Sequence, residues 1–131
     1  MLVAAQIVAA LAALLHIIFF LFESVFWSRP KVYARFGISS QAEADTIRPM
    51  AYNQGFYNLA LALGVIVGIF LLEGHSGVFV AGKTLVIFGT ACMVVAGIVL
   101  ASTGRSYRSA AAIQFVPAAV ALILASSIPA S

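Results

Sequence analysis

Seven side chains in this 131-residue sequence have types and spacing that could do chemistry: His16, Glu23, Asn53, Gln54, Tyr57, Asn58 and Gln114. Glu23 is the only acid inside an apolar run that could cross a membrane, about one turn before Trp27. Intramembrane carboxylates are costly and usually mark function. Such a group can exchange a proton, hold a cation or accept hydrogen bonds. His16 lies seven residues earlier, and α-helical spacing puts the two on one face, about 10 Å apart along the axis. That arrangement suits a proton relay or a ligand site. It equally suits structural roles, with His16 donating to another helix and Glu23 hydrated near the headgroups or paired with Arg29 or Arg48.

The stretch Arg48-Pro49-Met50-Ala51-Tyr52-Asn53-Gln54-Gly55-Phe56-Tyr57-Asn58 opens another apolar run with three carboxamides and two phenols. An unpartnered carboxamide in lipid costs several kcal/mol, so these groups should face protein or water. Gln54 and Asn58 are four residues apart, as are Asn53 and Tyr57, so each pair shares a helix face. Gly55 between them permits close approach of a neighbouring helix. Gln114 stands three residues before Pro117, whose missing N–H frees a backbone carbonyl in the same region. The cluster is either an interhelical hydrogen-bond clamp, each bond contributing about 0.6 to 2 kcal/mol, or the lining of a pocket.

The elements that must position these residues are transmembrane helices. The chain is 63% hydrophobic and only 8% charged, against roughly a quarter charged in a soluble domain, which excludes an ordinary soluble globule. Four apolar runs, at about 2–27, 50–72, 80–102 and 110–128, can each cross a hydrocarbon core of about 30 Å. The expected fold is all-α, an integral membrane four-helix bundle forming one domain. Ser40-Gln41-Ala42-Glu43 matches a capping box, so a helix should start there and run, kinked or straight, through Pro49 into the second span. Trp27-Ser28-Arg29-Pro30-Lys31 reads as an exit from the first span, with an interfacial aromatic and a helix-breaking proline.

The first and third connections carry six of the seven basic residues, and Lys83 is the seventh. With four spans these connections lie on one side, so the positive-inside rule places them in the cytoplasm and both termini on the non-cytoplasmic side. The net charge of +3 then reflects loops beside anionic lipid and gives no reason to invoke nucleic acid. The first span lacks the basic n-region and cleavage site of a signal peptide. Gly64 and Gly68 form a small-xxx-small pair that could pack helices within one chain or between two.

The sequence has no phosphate-binding loop, nucleophile elbow, CxxC or HExxH, so no cofactor is expected. Glu73 and His75 are two potential ligands, and two ligands do not make a metal site. Cys92 and Thr90 read as packing residues.

His16, Glu23, Phe26 and Trp27, then Phe36-Gly37, then Asn53-Gln54-Gly55-Phe56-Tyr57-Asn58, and finally Gln114 to Pro117 together resemble a bacterial membrane-protein family labelled domain of unknown function 1304. The resemblance covers nearly the whole chain. It implies four transmembrane helices in a bacterial cytoplasmic membrane and no assigned activity. Four functions fit the residues. The cluster could bind a small amphipathic or lipid-like ligand, or Glu23 could serve a dimeric, proton-coupled multidrug-type transporter. His16 and Glu23 could be the acid–base pair of a membrane isomerase or lipid-modifying enzyme. Finally, the chain could be a purely structural scaffold, as a homo-oligomer or beside another membrane protein. The ligand-binding reading leads, with no catalysis assigned.

Overall fold

A computed structural model of the protein describes residues 1–129. Five α-helices account for the fold: α1 (Leu2–Phe20), α2 (Pro30–Tyr33), α3 (Gln41–Leu71), α4 (Gly77–Thr103) and α5 (Arg108–Ser126). The described residues contain no strand. α1 continues as a π-helical turn, Leu21–Val25, in which Phe26 N–H reaches back five residues to the Leu21 carbonyl at 2.8 Å. Including that turn, four helices are long and apolar enough to cross a membrane. The chain is therefore all-helical and built as a multi-pass membrane protein.

α1 packs against α3 and α5, α4 packs against the same two, and α1 faces α4 across the diagonal. Small residues make the square tight. Ala5, Ala9, Ala12 and Ala13 of α1 are buried at helical spacing in one core with Ala118, Ala121 and Ala125 of α5. Alanine offers little side chain to hold helices apart, so backbones approach closely and gain dispersion contacts over their length. The α3–α4 pair closes on a glycine seam. A Cβ on Gly82 would lie 2.7 Å from the Leu72 nitrogen, and one on Gly68 would lie 2.9 Å from Leu85 and Val86 side-chain carbons. Gly68 thus packs within the chain, while a Cβ on its small-residue partner Gly64 would meet nothing within 4 Å.

α3 is 31 residues long, about 46 Å at ~1.5 Å per residue, and runs through Pro49 without interruption. Its start follows the capping pattern: the Ser40 hydroxyl accepts the Glu43 N–H at 3.2 Å. The Glu43 carboxylate reaches back to the Ser39 N–H and hydroxyl, both at 3.3 Å.

The first connection is a folded cap. Trp27, Tyr33 and Ala44 are buried against Phe36, Ile38, Ile47 and Ala51. Trp27 Nε1–H donates to the Ala44 carbonyl at 2.9 Å. Trp27 is only 4% exposed and stands just past the end of the first span helix. The indole packs under the start of α3, where both its apolar body and its N–H find partners. At the opposite end of the bundle, Gln6 donates to Glu73 and the Lys83 ammonium donates to the Ile128 carbonyl. The start of α1, the α3–α4 turn and the end of α5 therefore share one end, and the two basic connections share the other.

Candidate functional site

The site begins with a notch. A Cβ on Gly55 would lie 2.0 Å from the Ser24 hydroxyl oxygen and 3.1 Å from the Ser24 nitrogen, so only glycine admits α1 at this distance. The Ser24 hydroxyl donates to the Tyr52 carbonyl at 2.9 Å and fixes the contact. Glu23, next along the π-helical turn, is thereby carried to α3, where Asn58 Nδ2–H donates to its Oε2 at 2.7 Å. A π-turn holds one residue more than an α-turn and so rotates the residues after it about the helix axis; such bulges are frequent at functional sites.

Glu23 and His16 reach different partners. Glu23 meets α3, whereas His16 points to α5, where the Gln114 side-chain amide lies 3.3 Å from Nε2. The His16 Nδ1 is 2.9 Å from the Ala12 carbonyl. A carbonyl can only accept, so Nδ1 carries the hydrogen and Nε2 accepts from Gln114. His16 has no exposed surface, and both ring nitrogens are engaged. The two side chains, expected on one face, thus meet different neighbouring helices. The pair divides into two separate interhelical links, α1–α3 and α1–α5.

Between these links, in the half of the bundle nearer the basic connections, lies a half-open cleft of ≈ 1080 Å³. All four spans line it. α1 contributes Phe19 and Phe22, α4 contributes the stretch from Phe88 to Thr103, and α5 contributes Ile113 and Gln114. Its wall is mostly apolar. Its polar groups are few: Glu23, Gln54 and Asn58 where α1 meets α3, Arg35 and Tyr107 from the connections, and Gln114 of α5 beside His16. A smaller space under the cap shares Glu23, Phe36, Gln54 and Tyr107 with the cleft and prolongs it toward the loops.

The structure brings Glu23, Gln54, Asn58 and Gln114 together around this cleft, with His16 sealed behind Gln114. It does not bring Asn53 and Tyr57 to them. Asn53 is exposed and Tyr57 is 62% exposed, both outside the cleft lining. Glu23 is half-buried and met by an amide; Arg29, a candidate partner, lies instead over the Phe26 ring at 4.4 Å. Among the described residues no three His, Cys, Asp or Glu side chains converge as metal ligands.

Several cleft residues were not singled out from sequence. Arg35 and Tyr107 sit in connections, and their signal was only an aromatic and a base in otherwise polar stretches. Cys92, expected as packing, lines the cleft. Ser24 carried no signal except its place one residue after Glu23.

Residues 10–126 match the model of a family described as protein of unknown function (DUF1304). The match includes both hydrogen-bonded pairs and every cleft residue from Leu15 to Gln114. No curated protein and no solved structure matches the chain.

Proposed function

The chain belongs to the DUF1304 family, whose function is unknown, and from the site we propose that it binds a small amphipathic or lipid-like molecule in the bundle cleft. The observation that carries this reading is the chemistry of the cleft lining, a mostly apolar wall with a few polar groups, Glu23, Gln54 and Asn58 together and Gln114 deeper beside His16. Ligand sites are concave and mostly apolar, with a few polar groups that set orientation, and span ~300–1,000 Å³. The ≈ 1080 Å³ here is just above that range. An amphiphile entering from the bilayer would keep its tail at the depth of Phe88 and Val95 and its head beside Glu23 and Gln54. Head and tail would each stay at the depth they already occupy in a leaflet, so little desolvation opposes binding. The basic residues of the adjoining connections favour a cytoplasmic leaflet for that mouth.

A direct acid–base reaction by His16 and Glu23 on one bound molecule has no support from this geometry, because His16 is sealed away from the cleft. The pocket reading supplies its own reporter, since Cys92 is the only cysteine in the chain and lines the cleft. In nanodiscs, dodecanol should slow alkylation of Cys92 by a membrane-permeant maleimide in a saturable way. An alkylation rate independent of dodecanol up to the solubility limit would reject the reading.

A further inference from the structure

We propose that the cleft prefers amphiphiles whose head is an organic cation, an ammonium on an apolar body, held between the Glu23 carboxylate and the aromatic wall of α1. This rests on the amphiphile-binding reading and narrows it by charge. Glu23 is the only acid among the residues lining the cleft. Asn58 engages its Oε2. Oε1 has no donor among the described residues and is not buried, so it remains open to a ligand. An accessible carboxylate oxygen beside apolar walls attracts a cation more strongly than it would in water, because the surroundings screen it less.

The wall adds to the attraction. Phe19, Phe22, Phe36, Phe88 and Tyr107 line the same space, and ring faces draw cations within about 6 Å of the centroid. The protein already places a cation there: the Arg35 guanidinium carbon lies 5.5 Å from the centroid of the Phe22 ring. Arg35 is exposed and comes from the short turn after α2, so it is a tethered occupant that a ligand can displace. Its role depends on the sign of the ligand's charge. For a cationic head Arg35 is a competitor, whereas for an anionic head it would be the partner and Glu23 the repulsive group. Removing Arg35 therefore shifts affinity in opposite directions for the two classes.

The test uses the full chain in nanodiscs of zwitterionic lipid, with Cys92 alkylation as readout. Dodecyltrimethylammonium, dodecanol and dodecyl phosphate are compared at equal mole fractions in the bilayer. The ammonium should protect Cys92 at about tenfold lower mole fraction than the alcohol, the scale of one hydrogen bond or contact to a charged group. Glu23→Gln keeps an oxygen to accept from Asn58 and should erase that preference, so that on this variant the ammonium and dodecanol protect Cys92 at equal mole fractions. Arg35→Ala should strengthen protection by the ammonium. Equal protection by all three probes, stronger protection by the phosphate, or an ammonium preference that survives Glu23→Gln would overturn the inference. If dodecanol protects in any of those cases, the amphiphile reading stands and only the charge preference falls; if no probe protects, both fall.

Discussion

The Glu23–Asn58 hydrogen bond links α1 to α3 inside the site, and a double-mutant cycle measures it. Asn58→Leu removes the amide that donates to Glu23 Oε2 at 2.7 Å. Asn58 is 5% exposed, so leucine replaces it with little change in packing. Hydrogen bonds to charged groups contribute about 1.5–3 kcal/mol in soluble proteins. Side-chain bonds within membranes average only about 0.6 kcal/mol, with a maximum near 1.7 kcal/mol, because the unfolded chain in lipid also finds partners. The 2.7 Å length and the acidic acceptor place this bond at the upper end of the membrane range, about 1.5 kcal/mol. Glu23→Leu, Asn58→Leu and the double variant, each unfolded by SDS titration in mixed micelles, should give a coupling energy of that size. The double variant should be more stable than the sum of the single losses predicts. A coupling below about 0.3 kcal/mol, the usual margin for independent sites, would refute the claim that this bond joins α1 to α3.

Three further outcomes are expected from the packing. Gly82→Ala gains about 1 kcal/mol of helix propensity but drives a Cβ against the backbone at Leu72, 2.7 Å away. Overpacking costs about 1–3 kcal/mol, so the SDS midpoint should fall. Trp27→Phe loses the N–H bond to Ala44, worth about 1 kcal/mol, and should speed proteolysis between Arg29 and Ser40 while leaving the span helices protected. Gln114→Leu strands the His16 Nε2 in a site without solvent at a cost of about 1–3 kcal/mol, and adding His16→Leu should recover most of that loss.

The four helices were legible because hydropathy and charge act locally: about twenty apolar residues between polar connections admit few other structures in lipid. The start of α3 was legible for the same reason, since Ser40 and Glu43 satisfy backbone groups within one turn. The site was legible only in part. Periodicity divides the amide stretch into the Gln54–Asn58 face and the Asn53–Tyr57 face, but which face turns inward depends on where α1 docks. Gly55 held the answer, because its missing side chain marks the face that Ser24 enters. The π-turn at Leu21–Val25 was not legible. Its widened hydrogen bond, Phe26 N–H to the Leu21 carbonyl, follows no proline or glycine in the turn that would mark it in the sequence. The cleft is likewise a product of distances between helices, so Cys92 and Val95 carry no sign in sequence that they border open space.

The glycine seam between α3 and α4 has a bearing on ligand length. Above the cleft, Gly82 and Gly68 bring the two backbones together, and Gly89 receives the Val65 side chain. Open space begins only near Phe88 and extends along α4 to Thr103, about 22 Å at ~1.5 Å per residue. On the proposed binding mode, a tail anchored by its head at Glu23 would reach the level of Phe88, the deepest α4 residue of the lining. Shorter tails leave apolar wall uncovered, and longer ones must bend out through the open side into lipid. Across a homologous series of amphiphiles, affinity should rise with each added methylene and then level off at the length that reaches Phe88.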